Sequence, residues 1–153
     1  MDPEGKRESV LLVRAGGRAC AIPLSQVIET LRPLPTTPCA GLPPFVLGGA
    51  VVRGAAVPVV ELGAFLGVAP APATRFVLVR CGARPAALAV DSVTGVASIA
   101  GGDRTATALL GAADGGAIEA LGALDGELLV LLRAARIVPD GAWRAITGQE
   151  DVA

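Results

Sequence analysis

The chain has 153 residues, 52% hydrophobic and 18% charged, a composition that folds and has room for one domain or two small halves sharing a core. A net charge of −1 and an aromatic content of 3% exclude a phosphate-backbone binder and a base- or sugar-stacking surface, so no nucleic-acid partner is expected. Histidine and tyrosine are absent, which removes His-based zinc sites, Ser-His-Asp triads and Cys-His pairs; no metal, cofactor or catalytic residue is expected.

In chain order, Met1–Ser9 is a charged arm without pattern and is expected to fray. Val10–Arg14 reads as a strand, Gly16-Gly17 as a turn and Arg18–Leu24 as the partner strand. Ser25 is an N-cap or turn residue, and Val27–Leu31 continues as a turn running into a strand. Pro33, Pro35, Pro38, Pro43 and Pro44 make Arg32–Pro44 an extended connection. From Gly48 onward two apolar runs meet at Arg53-Gly54, a β-hairpin whose glycine can take the positive φ of a tight turn. Pro58 lies inside the return run Val57–Leu62. Having no N–H for a ladder, it predicts an edge strand or a bulge there.

Gly63–Gly67 reads as a short helical or turn segment and Val68–Thr74 as a semi-rigid extended linker. Arg75–Arg80 and Arg84–Val90 form a second hairpin about Gly82-Ala83, and Asp91–Ile99 mirrors the region of Ser25. Ala100–Gly116 reads as a long loop with room for one helical turn near Ala108–Leu110. Ala117–Ala123 and Leu128–Arg133 are strands about the turn Asp125-Gly126. Ala134–Val138 begins a C-terminal helix, and the tail beyond Trp143 is expected to be loose. No stretch of eighteen apolar residues and no signal peptide is present in the sequence, so no membrane insertion and a cytoplasmic location are expected. Cys20, Cys39 and Cys81 show no CxxC spacing and read as buried small hydrophobes in a reducing compartment.

The two halves repeat. Val10–Arg18 lies over Phe76–Arg84, with Ala21 over Ala87, Leu24 over Val90 and Val27 over Val93. Arg53-Gly54 falls over Asp125-Gly126, and Val57–Val60 over Leu129–Leu132. Five short strands per half suit a small closed barrel, and neither half holds enough residues for a strong core alone. The expected boundaries are about 9–67 and 75–138 within a single domain 9–138, with residues 1–8 and 144–153 as flexible termini. Uninterrupted apolar runs such as Leu128–Leu132 fit strands buried on both faces.

Several segments, in this order and spacing, carry a resemblance over Ser9 to Val138: Ala21-Ile22-Pro23-Leu24 with Val27 and Glu29; Gly48 through Arg53-Gly54; Pro58 through Leu62; and Val90-Asp91-Ser92-Val93. The chain resembles the CheW-like coupling proteins of bacterial chemotaxis and the similar regulatory domain of the CheA histidine kinase. The resemblance implies an all-β fold with short helices, built as two intertwined five-stranded SH3-like β-barrels on a common hydrophobic core. It also implies a non-enzymatic scaffold of two-component signal transduction. Its partners would be the cytoplasmic tip of a methyl-accepting chemoreceptor and the regulatory domain of a CheA-type histidine kinase. Matched residue by residue, Arg53, Glu29, Val27 and Gly48 fall at receptor-binding positions, and Gly54, Ala55 and Ala56 are kinase-interface candidates on the hairpin. Glu61 stands where the family usually has aspartate, and Arg133 where the second half commonly ends in aspartate.

Two other readings stand beside this one. A stand-alone CheW-like regulatory module would bind another signalling enzyme without a chemoreceptor; the reversed charge at Arg133 leaves room for it. An enzyme would have to use a carboxylate pair such as Asp91 with Asp125 or Glu119, and nothing in the sequence pairs them.

Overall fold

In a computed structural model, residues 7–68, 72–100, 118–124 and 127–148 are described. Ten strands follow in order: β1 Arg7–Ala15, β2 Arg18–Pro23, β3 Val27–Leu31, β4 Val46–Val52, β5 Ala55–Glu61, β6 Arg75–Cys81, β7 Arg84–Val90, β8 Ser92–Ala100, β9 Ile118–Leu124 and β10 Glu127–Leu132. A 3-10 turn at Leu24–Gln26 leads into β3, helix α1 (Leu62–Phe65) follows β5, and a 3-10 turn at Ala134–Arg136 precedes helix α2 (Asp140–Thr147). The strands form two five-stranded sheets, ordered β8-β1-β2-β10-β9 and β3-β6-β7-β5-β4.

This order shows how the halves intertwine. The opening hairpin of the first half, β1-β2, lies in the sheet with β8, β9 and β10 of the second. The opening hairpin of the second half, β6-β7, lies in the sheet with β3, β4 and β5 of the first. Each exchange is sealed by one parallel pairing, β2 with β10 and β5 with β7. The boundaries 9–67 and 75–138 therefore mark the repeat along the chain, while each sheet draws strands from both sides of them.

Side-chain alternation explains the uninterrupted apolar runs. Successive residues of a strand point to opposite faces. On β6, Phe76 and Leu78 enter a cluster inside the second sheet, while Val77, Val79 and Cys81 enter a larger cluster between the sheets. On β7, Ala87 and Ala89 turn inward, and Ala86, Leu88 and Val90 face the other sheet. The first sheet does the same: Ala19 and Ala21 with Leu129 and Leu131 fill its interior, while Cys20, Ile22, Val130 and Leu132 join the shared core. With both faces buried, no polar alternation is left to read. Each fully buried Val, Leu or Ile here contributes about 1.5–3 kcal/mol.

Several expectations need correction. β5 is an interior strand, not an edge, with β4 on one side and β7 on the other. Pro58 is tolerated because its partner on β4, Gly49, turns both backbone groups to Thr37, and the ladder to β7 starts one residue later, at Val59. The edge is β4, and it is partly covered by Thr37 of the proline-rich connection, through bonds of 2.8 and 2.9 Å. β1 already begins at Arg7, because Glu8 and Ser9 pair with Ile99 and Ser98 of β8. Of the two readings of Ser25, the turn residue holds: it lies inside the 3-10 turn, and Pro23 occupies the N-cap. β8 is a continuous strand and does not copy the turn at Leu24–Gln26.

At the C-terminus the helix runs past Trp143 to Thr147 and stops at Gly148, whose φ of 73° suits a residue without a Cβ. Trp143 is buried in the shared core, which is why this segment is ordered rather than loose. Cys20 and Cys81 are buried, as expected, but Cys39 is half-exposed on the proline-rich connection. The loop expected over 101–116 and the turn Asp125-Gly126 lie outside the described residues, as do positions 69–71 of the expected linker.

Candidate functional site

The parallel pairing of β5 with β7 decides where the candidate residues gather. Parallel strands begin at the same end of a sheet, so the turns preceding them, Arg53-Gly54 and Gly82-Ala83, lie side by side. β3 runs antiparallel to β6 and pairs Val27 with Val79, close to the Gly82-Ala83 turn. Val27, Glu29, Arg53, Gly54, Ala55 and Ala56 are thereby collected at one end of one sheet.

Arg53 and Gly54 both have positive φ, 49° and 82°. Two left-handed residues in a two-residue loop make a type I′ turn, whose twist matches that of the strands it joins. Asn, Asp and Gly are the easy occupants of the first position; Arg53 is the sole non-glycine residue with positive φ among the described residues. Its guanidinium reaches across to the carboxylate of Glu29 and forms an ion pair with it. Glu29 lies on β3 and Arg53 at the end of β4, the two edge strands of the sheet, so the pair draws the curled sheet's edges together. The Arg53 side chain is 66% exposed. Hydrogen bonding to Arg53 holds the Glu29 carboxyl below its ordinary range, and the same bond raises Arg53.

The other residues of the set divide. Val27 is half-buried and packs against the shared core, so its side chain serves the fold on one flank. A register shift between Val27 and Glu29 drops Ile28 from the ladder and leaves it 39% exposed. Gly48 is buried, with φ 137°, under the proline-rich connection. A Cβ there would run into the Thr37 carbonyl and lie 2.8 Å from the Pro38 Cα. Its place is in shaping β4 beneath that strap, not on the surface. Gly54, Ala55 and Ala56 are exposed. Sequence reading missed Ile28 and Val51. Val51 is 68% exposed two residues before Arg53. Strict alternation was the signal: of Val27 and Ile28, or Val51 and Val52, one member of each pair must face out.

The carboxylates singled out for other reasons are occupied. Asp91 accepts from the backbone N–H groups of Gly16 and Gly17 at 3.0 and 2.9 Å, tying the β1-β2 turn to the start of β8. Glu61 caps α1 by accepting from the Ala64 N–H at 3.2 Å. The side chain of Glu119 and the residue Asp125 lie outside the described residues, as does the turn position opposite Arg53 in the repeat. Arg133 is exposed just after β10. Among the described residues, no group of three or more His, Cys, Asp or Glu could hold a metal ion. No helix among them is long and apolar enough to cross a membrane.

Residues 9–141 match the model of the CheW-like domain. The chain belongs to the CheW-like family. Membership makes it a scaffold-type domain of a family that is not catalytic. The fold agrees with that of the scaffolding protein TtCheW from Thermoanaerobacter tengcongensis, at a TM-score of 0.66 and 18% identity over 84% of this chain and 90% of that one. No curated protein matches the sequence.

Proposed function

We propose that this CheW-like chain is a cytoplasmic adaptor that couples the tip of a methyl-accepting chemoreceptor to the regulatory domain of a CheA-type histidine kinase. The observation that carries this reading is the Arg53 turn. A strained arginine is held at an exposed tip, beside Glu29, with exposed Ile28 and Val51 on neighbouring strands. A helical receptor tip presents carboxylates, carbonyls and apolar side chains, which a guanidinium fork flanked by aliphatic residues can engage. Val27 and Gly48 support the site from beneath, and the exposed Gly54, Ala55 and Ala56 offer the hairpin's outer side to the kinase domain.

The test is co-elution of the purified chain with the regulatory domain of its own organism's chemosensory kinase and with a receptor-tip fragment. Complexes with both are expected. Binding to neither would overturn the proposal and turn the search to other signalling enzymes.

A further inference from the structure

Beside the hairpin tip lies a cavity of about 270 Å³; the coupling reading uses Ala55 and Ala56 on its rim but not Arg84 or Trp143. Its walls are Ala55 and Ala56 of β5, Ala83 of the turn with Arg84 and Pro85 of β7, and Trp143 and Thr147 of α2. The parallel β5-β7 pairing sets the two strand starts next to each other, and α2 packs across them, anchored by buried Trp143. Arg84 places its Cζ 4.1 Å from the centre of the Trp143 ring. The ring holds the guanidinium in one orientation but accepts none of its N–H bonds in the plane, so those donors require partners elsewhere.

No carboxylate among the described side chains supplies one. The carboxylates among the described side chains are Glu8, Glu29, Glu61, Asp91 and Asp140. Glu29, Glu61 and Asp91 are committed to Arg53, Ala64 and the Gly16-Gly17 turn. Asp140 sits at the opposite end of α2 from Thr147, and Glu8 lies on β1 of the other sheet. Among the described residues, Arg84 thus has an aromatic platform and no carboxylate. The cavity is smaller than the roughly 300–1,000 Å³ of small-molecule sites, and apart from Arg84 and Trp143 its walls are alanines, Pro85 and Thr147. It has room for a side chain and its neighbour.

We propose that this cavity is a docking pocket for an acidic side chain on a partner protein, with the carboxylate bound by Arg84 and an adjacent aliphatic residue against Ala56, Ala83 and Pro85. A single pre-oriented guanidinium suits the two oxygens of one carboxylate, and Arg and Trp are both among the residue types enriched at interface hot spots. The inference rests on the scaffold reading only in taking the ligand to be a protein. It involves neither Arg53 nor Glu29.

The experiment pans a display library of random twelve-residue peptides on the full chain, on Arg84→Gln and on Ala56→Leu. Peptides selected by the unaltered chain are then titrated while following fluorescence of Trp143, the one tryptophan of the protein. The expected peptides carry Asp or Glu beside Leu, Val or Ala and shift Trp143 emission saturably. They should bind Arg84→Gln at least tenfold more weakly, and lose a similar factor when their acid is replaced by its amide. Ala56→Leu fills the cavity at an exposed position without altering charge and should weaken binding too, so a folding defect in Arg84→Gln would not shield the proposal. Absence of acidic enrichment, or binding indifferent to both variants, would overturn it. Glu150 and Asp151 follow α2 in the sequence; a chain ending at Gly148 should select the same peptides. Binding seen only in that shortened chain would assign the cavity to the tail and overturn the partner assignment. Acidic-peptide binding without co-elution of kinase or receptor would sink the coupling reading alone, and the reverse result would sink this one alone.

Discussion

Two hairpin turns of this protein are each held by a carboxylate from a distant strand, and they are held for different ends. At Gly16-Gly17, Asp91 bonds two backbone N–H groups at 3.0 and 2.9 Å. At Arg53-Gly54, Glu29 bonds a side chain that is itself 66% exposed. The Asp91 carboxylate holds two consecutive backbone N–H groups, one part-buried and one exposed, so the contact fixes the backbone of the turn itself and is part of the fold. A guanidinium in water keeps other partners within reach, and an exposed ion pair is weak and screened by salt. The chain thus uses one device twice: once to fasten a turn to the start of the neighbouring strand β8, and once to hold an arginine in place while leaving it available. A structural brace and an available site can look alike as a sequence, since both are a carboxylate and a glycine turn.

The comparison can be broken hardest at what both turns share. Leu88 is fully buried in the core between the sheets, so Leu88→Ala should cost about 2–5 kcal/mol in denaturant unfolding and disturb both turns together. Asp91→Ala comes next. It removes two charge-assisted bonds to backbone, and a loss of about 1.5–3 kcal/mol in the same measurement is expected, with partner binding unchanged at temperatures where the variant is folded. A midpoint equal to that of the unaltered chain would show that the Asp91 turn is as dispensable as the other.

Thiol chemistry separates the buried frame from the surface more gently. Burial pushes the Cys20 thiol up to about 12 and Cys81 up to about 11, so neither forms thiolate near neutrality. Maleimide at pH 7.5 should label Cys39 alone in the native chain and all three cysteines after denaturation. Rapid native labelling of Cys20 would contradict the closed core.

The smallest effect concerns Glu29. Its folded pKa is depressed by the hydrogen bond from Arg53, so whatever stability the pair adds is present above the unfolded value, about 4.3, and fades as pH falls through the lower folded value. Carboxyl-carbon NMR should show Glu29 titrating at higher pH in Arg53→Ala than in the unaltered chain. An unmoved titration would mean that the pair does not form in solution.

Much of this was legible in the residues. Glycine turns and apolar runs located nearly every strand, and the repeat of Val10–Arg18 in Phe76–Arg84 announced two equivalent units. The intertwining of the two halves was legible only through the family resemblance, because Val and Leu runs by themselves carry no mark of which neighbour they will pair with. Pro58 misled for a related reason: proline forbids one hydrogen bond, and only the register shows that the bond would not have been made. At the site, Arg53 and Glu29 were legible through family spacing, while their contact depended on the sheet curling edge to edge. Arg84 and Trp143, 59 positions apart in sequence, had no local signal at all. Gly48 was placed in the right region for the wrong face, since a glycine required by a nearby carbonyl and one left bare for a partner are spelled alike.

The most direct test of the account is receptor-fragment affinity of Arg53→Glu measured alongside its unfolding midpoint. The account predicts a receptor affinity at least tenfold lower with the cooperative unfolding transition kept, because an exposed turn residue carries partner contact and little core. Unchanged affinity, or loss of the transition, would contradict it.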